Sequence, residues 1–377
     1  MIRIRTPNTK SIVVFFGVLS LFSLIFFANF IVVTGVPFYF LMTILGTIIL
    51  LFISGEKYLL INIQDFFVLL FLFWLLIPVF NAHDITSSLL QYYYYLICFS
   101  LFFFVRRICF SRRDWFLLGQ AILYGGMVTS VLMFANWNVI FQGDRVNING
   151  INANYLAYSL VTLLPLLYIF ICNNDRFYYV ILLFFSLAIF LTGSRGAFAA
   201  LLLFYILLSF KKPMFGLFLV LIIITCFTML LGFYDSLPQY WQVRFDFHNS
   251  TNNNIDWSSG REDTWSMALK LFNENSVFGI GPNNFGEVSG FQIGVHNVFL
   301  SLLVETGILG FIFYFLIFTS ILIFIMKRNL YLGFIFFAVE LPIFLTGVWE
   351  SSPVLWSVAS LLMAYVVLFS EKNRGNQ

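Results

Sequence analysis

The sequence predicts an all-α integral membrane protein of about twelve transmembrane helices, with one long polar loop on its outer face. Three observations carry this. Apolar residues make up 61% of the 377 residues and charged residues only 10%. A water-soluble domain carries about 25% charged residues, so the natural solvent of this chain is lipid, where helices close their own backbone hydrogen bonds. The apolar residues also fall into runs near the length of about 20 that crosses a bilayer as a helix. Finally, the basic residues sort to one side of the alternation those runs create.

The runs cover residues 11–33, 36–53, 65–82, 88–105, 114–134, 152–171, 176–192, 196–210, 213–232, 297–326, 330–348 and 353–370. The first follows a basic start, Met1 to Lys10. It is too long for a signal-peptide core and shows no small-residue cleavage site, so it reads as a helix that stays. Runs seven and eight are short and separated only by Thr192-Gly193-Ser194-Arg195, a break that argues for two spans rather than one. With the N-terminus inside, Arg3, Arg5, Lys10, Lys57, Arg106, Arg107, Arg112, Arg113, Arg176, Lys211, Lys212, Lys327, Arg328, Lys372 and Arg374 face the cytoplasm, 15 of the 20 basic residues. Merging 176–210 into one span would flip every later loop and cancel the bias that the positive-inside rule demands. Both termini are therefore expected inside, on a single polytopic domain spanning 1–377. The loop at 233–296, between spans nine and ten, is the exception to otherwise short connections. Its stretch Asn249-Ser250-Thr251-Asn252-Asn253-Asn254 reads as a solvated tip.

Composition also excludes. A net charge of +3 gives no case for nucleic acid. Cys98, Cys109, Cys172 and Cys226 lie in or beside apolar runs and read as small hydrophobes. The three histidines, His83, His248 and His296, are too dispersed for a zinc signature. No Asp-x-Asp motif appears, so no metal and no cofactor is expected.

The candidate chemistry lies in the five basic residues the rule disfavours: Arg145, Arg195, Arg244, Arg261 and Lys270. Arg195 sits in a four-residue turn between two short spans, at or below the membrane surface. Ser194 can cap the helix that follows, and an arginine beside free N–H groups at a helix start makes an anion site. Arg261 lies in Ser259-Gly260-Arg261-Glu262, whose spacing is that of a capping box and predicts a helix start. Arg261 shares a helical face with Trp265, Ala268, Leu269 and Phe272, so it points toward the membrane domain. The alternative is an arginine that anchors the loop by snorkelling. His296 stands where the long loop re-enters the membrane, followed by Asn297, and an imidazole is the usual general base near neutral pH. Glu350, in the turn Trp349-Glu350-Ser351-Ser352-Pro353, and Arg145, after Asp144, are second members of the same candidate site, as is Asn297. Asn152 and Asn154 open span six as sugar-binding or capping residues.

Thr192-Gly193-Ser194-Arg195-Gly196-Ala197, Ser259-Gly260-Arg261 with Trp265, Phe278-Gly279-Ile280-Gly281, His296-Asn297-Val298-Phe299-Leu300 and Glu305-Thr306-Gly307-Ile308-Leu309-Gly310 follow one another in this order. The series, within about 145–350, resembles the O-antigen ligase and polymerase superfamily (the WaaL and Wzy proteins). The first 140 or so residues match only in hydropathy. The resemblance implies a transferase acting on undecaprenyl diphosphate-linked glycans at the periplasmic face of a bacterial inner membrane. It implies Arg195 and Arg261 as diphosphate contacts, His296 as catalytic base and, less securely, Arg145 and Glu350. Implied partners are the lipid-linked oligosaccharide donor, a glycan acceptor, membrane lipid and a chain-length regulator protein. Ligases of the family often carry a further histidine just before the His-Asn pair, where this chain has Gly294-Val295, so polymerase is the favoured expectation over ligase. A transporter or flippase would place polar residues through the bilayer midplane. Here the spans are nearly uncharged apart from residues such as Glu305 and Glu340, and the charges gather on one face.

Overall fold

The computed structural model describes residues 9–25, 31–33, 36–53, 62–136, 148, 151–173, 176–213, 216–217, 220–221, 224, 228, 261–291 and 294–370. Its helices are α1 (Thr9–Ser23), α2 (Phe38–Ile53), α3 (Ile63–Phe80), α4 (Ile85–Ile108), α5 (Arg112–Ala135), α6 (Ala153–Thr162) and α7 (Leu164–Cys172). These are followed by α8 (Phe177–Leu191), α9 (Arg195–Lys211), α10 (Arg261–Glu274), α11 (Phe285–Ser289), α12 (Val298–Met326), α13 (Leu330–Thr346) and α14 (Pro353–Ser370). The α3, α4, α5 and α12 helices and the α6–α7 pair are long and apolar enough to cross a membrane, and α1, α2, α8, α13 and α14 are shorter apolar helices. The protein is a multi-pass helical membrane protein. The expected ninth span, 213–232, lies largely outside the described residues, as do Arg145, Cys226, Arg244, His248, Ser259 and the Asn249–Asn254 stretch.

Local sequence sets the helix boundaries. Asp84 accepts from the Thr86 N–H, Ser111 from Asp114 and Asn329 from Leu332 at the starts of α4, α5 and α13, each satisfying a donor that the first turn leaves open. The sixth span divides at Leu163, just before Pro165, whose ring cannot continue the preceding hydrogen-bond ladder. The first span departs from expectation. Helix α1 ends at Ser23, and Ile31–Val33 instead forms strand β1, paired antiparallel with β2 (Val36–Pro37). The β-branched Ile31-Val32-Val33 run favours an extended backbone, and hydropathy alone does not distinguish the two states.

Packing sorts the connections onto two ends. At one end Asp65, fully buried at the start of α3, is held by Arg106 and by Arg107 (3.1 Å) from the end of α4. Near this end Arg112 Nε donates to the Leu368 carbonyl at 3.0 Å, and Lys10 and Lys211 lie over the rings of Phe110 and Tyr331. The opposite end gathers the turns at 81–84, 192–194, 281–284 and 347–352. There the Asp84 N–H donates to Asn284 Oδ1 at 2.7 Å and His83 pairs with Glu287 at 3.2 Å.

Helix α12 is the organising element, packed against α3, α13 and α10. Its 29 residues form two helical segments joined at a kink at Gly307. The long-loop elements α10 and α11 dock on the segment before the kink. Phe299, near the start of that segment, packs against Phe344 at the end of α13, with ring centroids 6.1 Å apart.

Candidate functional site at the outer end of the bundle

The first part of α12 is set off by a break. Gly307 has φ 70 and ψ 179 inside the helix, a conformation open essentially to glycine alone. The break frees carbonyls that another segment takes up. Ile280 N–H donates to Val304 O at 2.9 Å, Gly281 N–H to Glu305 O at 3.0 Å, and Ile308 N–H to Ser276 O at 2.9 Å. A Cβ on Gly279 would stand 2.6 Å from the Glu305 carbonyl, so this crossing tolerates no side chain. Glu305 then anchors the next turn by accepting from the Asn283 N–H at 2.9 Å. Two of the sequence motifs, Phe278–Gly281 and Glu305–Gly310, are thus one structural joint. Below it Phe278 stacks on Trp74 of α3 at 5.8 Å, and the Trp74 indole donates to the Thr306 carbonyl.

Helix α10 is described from Arg261 onward and lies along the first part of α12. Ala268 and Leu271 join Ile280, Phe285, Val295 and Val304 in a small core separate from that of the bundle, with Trp265, Phe272 and Leu300 packed around it. Leu269, expected on this face, is exposed instead. The buried set at 264, 268 and 271 rotates the contact away from it. Arg261 is half-buried. The Trp265 indole donates to the Val295 carbonyl at 2.9 Å, tying the start of α10 to the residue before His296.

His296 occupies the corner where this extended segment becomes α12. Its φ of 49 is left-handed, uncommon outside glycine and costing about 1–2 kcal/mol. It persists because both sides are fixed: Val295 is buried under Trp265, and Asn297 caps α12 by accepting from the N–H groups of Phe299 and Leu300. The Asn297 carboxamide oxygen is thereby committed to the helix. His296 is half-buried. Burial, followed by the nearby Arg261 charge, holds its proton affinity below the usual histidine value, because both disfavour the charged ring. A neutral imidazole beside a guanidinium is suited to accept a proton.

Arg195 begins α9 and its side chain is exposed. Ser194 takes the N-cap position, but its hydroxyl makes no cap bond. Thr192 Oγ1 instead accepts from the Ser194 N–H at 3.2 Å, because the left-handed Gly193 folds the turn back on Thr192. The neighbouring Gly196 presses on the end of α13, where a Cβ would stand 2.0 Å from Thr346 Oγ1. Tyr158 of α6 donates its hydroxyl to the Thr346 carbonyl at 3.1 Å. The Arg195 turn thus borders the turn at 347–352.

The turn at 347–352 is held from several sides. Tyr314 and Trp356 both donate to the Glu350 carbonyl, at 3.1 and 2.9 Å. The Trp349 indole reaches Thr162 Oγ1 at 3.2 Å, and Gln91 reaches Ser351 Oγ at 3.0 Å. The Glu350 carboxyl is 1% exposed, and its Oε2 has no partner among the described residues. Burial pushes its pKa up to about 7, although the Trp349 and Glu350 N–H groups and the Ser301 hydroxyl work against it. Ser301 is one turn into α12 from Asn297, and a Cβ on Gly294 would lie 3.7 Å from Val348. Asn152 caps α6 by accepting from the Asn154 N–H at 2.8 Å.

The structure therefore brings Arg261 and His296 together at the outer end of α12. It places Arg195 beside the end of α13 and buries Glu350 in the turn that follows. Tyr314, Trp356, Thr346 and Ser301, which hold this arrangement, were not read from the sequence. Each looks like an ordinary residue of an apolar run, and only the long-range contacts mark it. The model of the family described as O-antigen ligase matches residues 178–315. This stretch contains Arg195, Arg261, His296 and the Gly307 joint, and it bears out the resemblance to the O-antigen ligase and polymerase superfamily. Glu350 and Arg145 fall outside it. No curated protein matches the chain.

Proposed function

From an O-antigen ligase family match that holds the two arginines and the histidine, we propose that this protein is an O-antigen polymerase. It transfers a glycan from an undecaprenyl diphosphate donor to another lipid-linked repeat unit, at the periplasmic face of a bacterial inner membrane. The reading rests on one observation above the others: a cation, Arg261, beside a half-buried imidazole, His296, at the mouth of the bundle. The outer face offers no nucleotide sugars, so a transferase there needs a donor already activated, and a lipid diphosphate sugar is one that the membrane supplies.

In the proposed reaction the acceptor hydroxyl attacks the anomeric carbon of the donor. His296 takes the hydroxyl proton, and the bond from the sugar to the lipid diphosphate breaks with its electrons going to the diphosphate. Arg261 and Arg195 stabilise the charge that develops on this leaving group, the kind of preorganised electrostatics that supplies most of many barrier reductions. The incoming diphosphate also compensates the imidazolium that forms beside Arg261. A single displacement inverts the sugar carbon. No step calls for a metal or cofactor.

Ligase is the second reading, favoured by the description of the matched family. The two differ only in acceptor: a lipid-linked repeat, or lipid A-core. Deletion of the gene followed by lipopolysaccharide gel analysis tests both. Loss of the ladder with one repeat still attached to core supports polymerase. Bare core with lipid-linked polymer accumulating means ligase. An unchanged profile refutes both.

A further inference from the structure

Glu340 lies within α13, about 9 Å in from the outer end of that helix at Thr346, and is fully buried. Among the described residues it is the one carboxyl with neither oxygen in a hydrogen bond. A polar group left so in an apolar interior is costly, and an ionisable side chain inside a membrane span points to a function. Helix α13 packs on α6, and the Thr162 hydroxyl at the end of α6 acts on the Glu340 carboxyl. Thr162 Oγ1 accepts from the Trp349 indole at 3.2 Å, so its own proton can point to Glu340. The Trp349 ring is packed edge-on against Tyr155 and Tyr158, with centroids 5.3 and 5.5 Å away. Its backbone N–H acts on the Glu350 carboxyl. Trp349 is therefore linked to a buried carboxyl at both ends, to Glu340 through Thr162 and to Glu350 through its own backbone.

We propose that Glu340 is a positioning residue for transfer, acting through Thr162 and Trp349 on the turn at 347–352. The inference rests on the function proposed above. That turn touches both halves of the candidate site. Thr346, at its start, is packed against Gly196, beside Arg195, and Val348 faces Gly294, two residues before His296. A chain that runs from Glu340 to Thr162 to Trp349 fixes the middle of the turn from within the bundle. It thereby sets Arg195 and His296 relative to each other, while Glu340 itself stays away from the substrate. The chain needs an oxygen that accepts from Thr162. It does not need a charge, which the apolar surroundings disfavour.

The test uses the full-length protein in nanodiscs, with the cognate repeat oligosaccharide on undecaprenyl diphosphate. Thr162→Val and Trp349→Phe each remove one link and nearly keep the side-chain shape. Each should lower kcat about tenfold or more while KM stays within about twofold. Glu340→Leu should do the same, and combined with Thr162→Val it should lose no more than either alone, because one chain is broken once. Glu340→Gln, which still offers an amide oxygen to Thr162, should keep kcat within about threefold. Undiminished kcat in Thr162→Val and Trp349→Phe, a KM that rises as far as kcat falls, losses that multiply in the double variant, or a Glu340→Gln as impaired as Glu340→Leu overturns the inference. If Glu340→Leu does not fold, Thr162→Val, Trp349→Phe and Glu340→Gln decide the matter. Failure of the unmodified protein to transfer would instead overturn the proposed function.

Discussion

Replacing Gly307 with alanine should detach the outer loop from α12 while the membrane bundle stays folded. The magnitude follows from the joint. A residue with a Cβ at φ 70 costs about 1–2 kcal/mol. The new Cβ would stand 2.0 Å from the Val277 carbonyl oxygen and 2.5 Å from its carbon. These are backbone atoms, so the 276–281 segment has to move. Moving it breaks the bonds from Ile280 to Val304, Gly281 to Glu305 and Ile308 to Ser276, each contributing about 1 kcal/mol net. The sum is about 4–5 kcal/mol against local attachment, a factor on the order of a thousand in the opening equilibrium. Hydrogen exchange in nanodiscs should show the Ile280, Gly281 and Ile308 amides losing about that much protection, with helical circular dichroism unchanged. Transfer activity should disappear although Arg195, Arg261 and His296 are all intact, because α10 no longer holds Arg261 against His296. Retention of both protection and activity would refute the view that this joint positions the site.

Five further outcomes are expected. His296→Asn, which keeps a residue tolerant of left-handed backbone, should abolish transfer in a glycan ladder assay without loss of folded protein, and normal ladders would remove the base assignment. Arg195→Ala, Arg261→Ala and Arg261→Lys should each fail in the same assay, the last because a lysine lacks the planar fork that grips a diphosphate. Because the Arg261 charge lowers the His296 proton affinity, residual activity of Arg261→Gln should rise with pH along a limb shifted to higher pH, and an unmoved limb would separate the two residues. Gly196→Ala should impair activity through its clash with Thr346, and Thr346→Gly should partly restore it. Absence of rescue would mean that the contact does not set the Arg195 turn. Glu350 binds its proton more tightly folded than unfolded, so its stabilising effect is full below about pH 4.5 and is lost as pH rises through about 7. That difference is worth about 3 kcal/mol, so Glu350→Gln should flatten the fall in thermal stability between pH 5 and 8, a fall that persists unchanged only if this carboxyl is not its source.

Much of the helical architecture was legible because membrane solvent leaves few choices: run length and the Gly-Ser break at 193–194 follow from local sequence. A helix containing Arg261 and a helix start just after His296 were readable in the same way, while the expected capping residue Ser259 lies outside the described residues. What failed was what depends on partners distant in the chain. Leu269 fits a helical face, yet α10 turns that face aside because Ala268 and Leu271 seat on Val304. Ser194 looks like a cap, yet the left-handed Gly193 hands that part of the turn to Thr192. Ile31–Val33 is as apolar as a helix end, yet it forms a hairpin.

The far end of the molecule bears on how this site can work. Asp65 with Arg106 and Arg107 is a buried ion cluster joining α3 to α4, and removing one partner of such a cluster typically costs about 3–5 kcal/mol. It pins two helices to each other at the interface opposite the site, while the loop that carries Arg261 rests on a short hydrogen-bonded joint and a small core. The bundle thus has a moored end and a loosely latched one. Perturbing the Asp65 cluster is therefore expected to loosen α3 from α4 without moving the loop that carries Arg261, and perturbing the Gly307 joint to do the reverse.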